Sequence, residues 1–260
     1  MRKNLFLAAY WATSIFFTLT ALPLLLLPGR ALLMAWMRFY ASAMVFWMRT
    51  ICGVTLEIRG RHHVPNGAAI IAAKHQSWGD GFCMFSQFAD LSFVTGDHLE
   101  KMPLVGSILK KMGAVVVASC GGVESRARVT EDGIGKAKAE GRKILIYPEG
   151  RIVPAGLYYP YKKGVFHMHE GQDCPVVPVA TNLGLFWPKD EWNLKSGYAV
   201  VEFLEPIAPG LGKDAFMALL HERIETASLA LLPADFKIPA NRVWADPSDV
   251  KSAQRESVAA

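Results

Sequence analysis

A histidine followed five positions later by a carboxylate closes an apolar run in this 260-residue chain: Ala68-Ala-Ile-Ile-Ala-Ala-Lys-His75-Gln-Ser-Trp-Gly-Asp80. On a regular helix, five residues at about 100° each set two side chains about 140° apart, too far round to meet. They meet if His75 lies on a strand-to-helix turn and Asp80 in the first turn of the helix, with Gly79 easing the bend. The carboxylate then accepts from one imidazole nitrogen and leaves the other to take a hydroxyl proton. Ser77 reads as a hydrogen-bonding residue of the turn. No G-x-S-x-G is present, so the usual nucleophile of an esterase or lipase is missing.

A second polar cluster also ends an apolar strand: Lys143-Ile-Leu-Ile-Tyr-Pro-Glu149-Gly150-Arg151. Open parallel sheets place ligands beyond the carboxyl ends of their strands, so both clusters are expected at one crevice. Arg151 suits a forked contact to phosphate, and Gly150 permits close backbone approach. The competing reading of this cluster alone is an ordinary loop salt bridge.

The elements needed to carry these turns are legible beyond residue 55. Strands are expected at Thr55–Arg59, Ala68–Ala73, Ser92–Thr95, Ala114–Val117, Lys143–Tyr147, Val176–Thr181 and Ala199–Phe203. Helices are expected at Gly79–Phe88, Val105–Met112, Val123–Glu140 and Lys213–Leu231. Strands separated by helices predict an α/β domain, a mixed and largely parallel sheet flanked by helices. Three units follow: residues 1–54 as membrane-anchoring helices, 55–232 as the catalytic domain, and 233–260 as a polar, flexible tail.

The anchor rests on Asn4–Pro28, where no side chain is charged. A bilayer core needs roughly 20 apolar residues as a helix, and the run is too long for a signal-peptide core. Ala31–Val54 is also apolar but carries Arg38, Arg49 and several aromatics, a mixture suited to the interface. The two segments either form a hairpin dipping into one leaflet, or the first spans. The alternative is a buried helical pair in a soluble core. Basic residues at both ends of the first segment leave its orientation open.

The net charge of +5 suits an anionic surface. No Lys/Arg stripe interleaved with aromatics points to nucleic acid, and no G-x-G-x-x-G or P-loop follows a strand. Cys52, Cys83, Cys120 and Cys174 are scattered, as reduced core thiols are, which fits a domain on the cytoplasmic side of an inner or cytoplasmic membrane. His167 and His169 share a face if that segment is a strand, but lack a third ligand; no metal site is expected.

Together the motifs resemble the lysophospholipid acyltransferases, the family typified by 1-acylglycerol-3-phosphate acyltransferase. Lys74-His75-Gln76-Ser77-Trp78-Gly79-Asp80 is similar to the family's N-H-x-S-x-x-D. Tyr147-Pro148-Glu149-Gly150-Arg151-Ile152 is similar to F-P-E-G-T-R, Val176-Val177-Pro178-Val179-Ala180 to its apolar strand with an internal proline, and Pro160–Val165 to its K-x-G segment. The resemblance covers about residues 55 to 210. It implies acyl transfer from acyl-CoA or acyl carrier protein to the hydroxyl of a lysophospholipid, foremost 1-acyl-glycerol-3-phosphate, with no metal or organic cofactor. It further implies His75 as general base and Asp80 as its orienting partner. Ser77, Glu149, Gly150, Arg151 and Lys162 would help seat the acceptor, and Pro178 would shape a groove.

The chain departs from the pattern in three places. Lys74 stands for Asn and is expected to point away from the catalytic pair. Arg151 stands for Thr and Ile152 for Arg, a one-residue displacement of the guanidinium that reverses its face on an extended segment. Gly96 and Asp97 stand where a Lys is usual, and Ala118, Ser119 and Cys120 where an Arg is usual, leaving Arg126, Arg128, Lys162 or Lys163 as substitutes. An acceptor without a phosphomonoester, a lyso-phosphodiester or lyso-ornithine lipid, is the alternative substrate. A catalytically silent lipid-binding protein is the alternative class.

Overall fold

The computed structural model describes residues 1–102, 104–117 and 132–245. Two long helices lead: α1 (Arg2–Ala21) and α2 (Ala31–Cys52). Gly53, in the left-handed conformation at φ +71°, ends α2 and turns the chain into β1 (Val54–Arg59). There follow β2 (Ala69–Ala73), α3 (Asp80–Gln87), β3 (Leu91–Gly96), α4 (Asp97–Glu100), α5 (Val105–Met112) and β4 (Val115–Val117). Residues 132–139 form α6. The chain continues through β5 (Lys143–Ile146), α7 (Gly164–Gln172), β6 (Val176–Thr181), β7 (Gly197–Phe203) and α8 (Lys213–Ala230).

The strands make one sheet in the order β1-β7-β6-β2-β5-β3-β4, parallel except where β6 meets β7. The mixed, largely parallel sheet is thus as expected. β2 is central, buried at every position, and flanked in parallel by β5 and β6. Alternation divides its side chains between two cores: Ala69, Ile71 and Ala73 join Met48, Cys83 and Trp187 on the α1–α3 face. Ile70 and Ala72 join Phe166, Phe216 and Ile224 on the α7–α8 face. Both faces are covered, which is why these strands read as continuous apolar runs.

The leading helices are an antiparallel pair. Trp36 donates to the Thr20 hydroxyl, Tyr40 lies 2.9 Å from Ser14, and Trp47 donates to Thr13. Both ends of the pair are held to the domain. Phe6 is fully buried, edge-on to Trp187 at 5.3 Å. At the hairpin turn Arg30 pairs with Asp90 (2.9 Å) and Glu140 (2.7 Å), and Lys111 donates to the carbonyls of Leu25 and Leu27. Away from the domain the pair exposes Trp11, Ile15, Phe16, Leu19, Leu32, Phe39 and Phe46.

Two expectations change. His167 and His169 lie on helix α7, not a strand, with His167 exposed and His169 buried. The chain after Pro233 is not free as far as Ala245: Val243 bridges Tyr158, and Phe236 packs on Gly156. Of the expected helix Val123–Glu140, only the part from residue 132 lies within the described residues, as does none of Pro103, Ala118, Ser119, Cys120, Arg126, Arg128 or the chain beyond 245.

Candidate active site

β2 ends at Ala73 and α3 starts at Asp80, so His75 and Asp80 stand at the two ends of one tight turn. His75 Nδ1 donates to Asp80 Oδ2 at 2.9 Å. The same oxygen accepts the main-chain N–H of Gln76 (2.7 Å) and of Ser77 (2.8 Å). Three N–H donors thus converge on one carboxylate oxygen in the first turn of α3. Ser77 is fully buried and its hydroxyl accepts from Gly79 N at 2.9 Å. It therefore shapes the turn and does not reach an acceptor.

Gly79 is required by space: a Cβ there would lie 2.9 Å from the Trp187 ring and 3.1 Å from Leu183. Trp187 in turn carries Phe6 of α1, so the first helix backs the turn that holds the histidine. The imidazole stacks on Tyr147, with centroids 4.0 Å apart and planes at 16°. Burial, then Asp80 and Cys83, push the Tyr147 phenol well above its ordinary range, so it stays neutral. The His75 side chain keeps 20% exposure, and its Nε2 edge is the part turned from Asp80.

The second cluster does converge on the first. β5 pairs with β2, and Val153 N donates to His75 O at 2.8 Å. Gly150 adopts φ +65°, and a Cβ there would lie 2.6 Å from Lys162 Nζ. Lys162, exposed, is thereby laid across the turn beside the histidine loop. Arg151 packs its guanidinium over the Tyr159 ring at 4.0 Å, while Ile152 is buried.

Two residues sit elsewhere than expected. Glu149 is fully buried behind the histidine: its Oε1 accepts from Lys74 Nζ (2.7 Å) and Tyr159 N (3.0 Å), and its Oε2 from His75 N (3.4 Å). A buried carboxylate so committed does not seat a phosphate. Pro178 is buried in β6 opposite Ala72, and its neighbours Val177 and Val179 belong to the α1–α3 face. Alternation assigns Pro178 to the opposite face from His75, so it does not line that side of the site.

Lys74 does point away from His75 and Asp80. It is 1% exposed, and Nζ donates to Glu149, to Glu225 Oε1 (2.8 Å) and to Leu157 O (2.8 Å). Glu225 of α8 also accepts from Tyr161 OH (2.9 Å) and Arg242 Nη2 (2.7 Å). Two cations and two carboxylates thus interlock. Burial pushes Glu149 up while Lys74 pulls it down; burial also lowers His221, one helical turn before Glu225. Sequence reasoning found the Lys74 substitution but not its partners, which lie 75 and 151 residues away.

Residues 55–182 match the family model described as Acyltransferase, a span running from β1 to just past β6 and containing both clusters. The matched segment is an acyltransferase domain, and the chain is an O-acyltransferase. Among named relatives, the 1-acyl-sn-glycerol-3-phosphate acyltransferase of Pseudomonas aeruginosa is 28% identical over 220 residues, 84% of this chain and 82% of the relative. That of Saccharomyces cerevisiae is 26% identical over 172 residues, 64% of this chain and 56% of the relative. The crystal structure of the 1-acyl-sn-glycerophosphate (LPA) acyltransferase PlsC from Thermotoga maritima shares the fold, with a TM-score of 0.71 over 91% of this chain and 100% of that one, at 18% identity.

Proposed function

We propose that this chain moves an acyl group from a thioester, acyl-CoA or acyl carrier protein, to the free hydroxyl of 1-acyl-glycerol-3-phosphate, giving phosphatidic acid. The observation that carries this reading is the His75–Asp80 hydrogen bond with the other imidazole edge left open. His75 Nε2 takes the hydroxyl proton as the oxygen attacks the thioester carbonyl. The C–S bond breaks as the new ester C–O bond forms, and the proton passes from the imidazolium to the leaving thiolate. Asp80 holds the tautomer and offsets the transient charge. No step requires a metal or organic cofactor. The names carried by the relatives support the acceptor.

Lys162, laid over Gly150, is the cation best disposed for the acceptor's phosphate. Arg151 stacked on Tyr159 supplies charge one position from where the family carries it. That displacement favours, as a second reading, an acceptor with less phosphate charge, such as a lyso-phosphodiester or lyso-ornithine lipid. Purified protein offered a panel of lysolipids with each thioester separates the two, products being identified by mass. Turnover of 1-acyl-glycerol-3-phosphate at least about tenfold above the others is expected. Release of free fatty acid without an acceptor would sink the transferase reading.

Arg2–Leu25 and Ala31–Cys52 are each long and apolar enough to cross a bilayer. The helix pair is read here as lying in one leaflet, since a spanning α1 would carry the turn to the far side. The Arg30 and Lys111 contacts instead keep that turn against the domain. In sealed vesicles, a maleimide that cannot cross the membrane should label a cysteine placed at Gly29 from the same side as one placed at Lys213. Labelling from opposite sides would establish a span.

A further inference from the structure

We infer that Glu225 and Arg242, both beyond residues 55–182, are positioning residues for His75, and that the segment from Pro233 to Ala245 is the strap that holds them. The inference rests on His75 being the base.

The strap is joined to the loop after the second cluster at alternate residues. Arg242 Nε donates to Gly156 O at 3.0 Å, Tyr158 N donates to Arg242 O at 2.8 Å, and Trp244 N donates to Tyr158 O at 2.8 Å. The intervening groups of the loop face the other way. Leu157 O accepts from Lys74 Nζ, and Tyr159 N donates to Glu149. A short segment, 156–159, is thus pinned by the strap along one edge and by the buried ion network along the other.

A second path runs through side chains alone. Arg242 Nη2 meets Glu225 Oε2, Glu225 Oε1 meets Lys74 Nζ, and Lys74 Nζ meets Glu149 Oε1. Both paths end on Glu149, whose other oxygen takes the main-chain N–H of His75. On the catalytic side, among the described residues, the imidazole is held by its hydrogen bond to Asp80 and its stack on Tyr147. The network fixes the main chain from which the imidazole springs, and Asp80 fixes the ring. Neither Glu225 nor Arg242 touches the reacting atoms, so their effect should appear as misplacement of His75. Displacements of about 1 Å in a catalytic group cost up to about a hundredfold in rate.

Arg242 is the better probe, because its side chain is 23% exposed and its loss leaves the core intact. Arg242→Gln should lower kcat about tenfold, with KM for donor and acceptor within about twofold, the pattern of an interaction lost in the transition state. Arg242→Lys, which keeps the charge, should recover activity to within about threefold of wild type. In an Asp80→Asn background, where the imidazole has already lost its charged partner, Arg242→Gln should cost less than about twofold. Glu225→Gln serves as the second variant, with folded fraction measured by circular dichroism. Unchanged kcat per folded molecule in both variants would overturn the inference, as would the same fold-loss with and without Asp80. His75→Ala in the same series keeps the two readings apart. An active His75→Ala removes the base assignment and this inference with it; an inactive one beside fully active Arg242→Gln and Glu225→Gln removes only the strap.

Discussion

His75→Ala should lower kcat by about 10²–10⁴-fold, the usual contribution of a positioned general base, while leaving the protein folded. The side chain keeps 20% exposure. Its stack on Tyr147 is worth only about 0.5–1.5 kcal/mol. KM for both substrates should change little, because proton abstraction is an interaction of the transition state. Asp80→Asn should cost a comparable factor by a different route. Oδ2 accepts three N–H groups at once, two of them main-chain. A carboxamide keeps one acceptor oxygen and replaces the other with a donor. Any placement that satisfies Gln76 and Ser77 then offsets the imidazolium charge poorly. Kinetics on both variants, with thermal melts as the control for folding, checks this. Turnover within about threefold of wild type in His75→Ala would remove the general-base assignment.

The turn that joins His75 to Asp80 was legible because its geometry is local. Five residues separate His75 from Asp80, and helix periodicity alone dictates that a turn must bring them together. The apolar runs that became β2, β5 and β6 were equally plain, since a strand covered on both faces has no polar alternation to confuse it. Helix α7 was readable and was missed. Val165, Phe166, Met168 and His169 are buried with His167 and Glu170 exposed, a helical spacing, whereas the two-residue interval between the histidines makes a shared face only on a strand. Glu149 and the tail are different cases. Inside a polar motif a glutamate looks like a ligand for substrate. Its actual partners come from β2's end and the loop bearing Tyr159, and nothing local announces them. The segment after Pro233 has the composition of a disordered tail, yet Phe236, Arg242 and Val243 find partners near Gly156 and Tyr158 that only the fold supplies. Composition measures what a segment can bury by itself, not what a groove already built can offer it.

The second large effect falls on stability, at the residue where this chain departs from its family's asparagine. Lys74→Met should destabilise the protein by about 3–5 kcal/mol, the cost of leaving a buried charge without its partner. The Lys74, Glu149 and Glu225 side chains are 1%, 1% and 4% exposed, so water cannot replace the lost ammonium. For a domain of this size that corresponds to a fall in Tm of roughly 6–20 °C. The deficit should also depend on pH, with a definite sign. Burial already raises Glu149 above its ordinary value, and Lys74 is the main influence opposing it. Without Lys74 the folded-state value rises further above the unfolded one. Stability is then lost as pH rises through that value, and the deficit shrinks as pH falls and Glu149 takes up a proton. Adding Glu149→Gln, which neutralises the carboxylate left without a cation while Glu225 keeps Arg242, should recover part of the loss, since a neutral amide is cheaper to bury than an unpaired charge. Denaturation in detergent at several pH values measures all three. A loss below about 1 kcal/mol would place Lys74 among ordinary exposed ion pairs, and a deficit that grows toward acid would show that Glu149 is not the group left uncompensated.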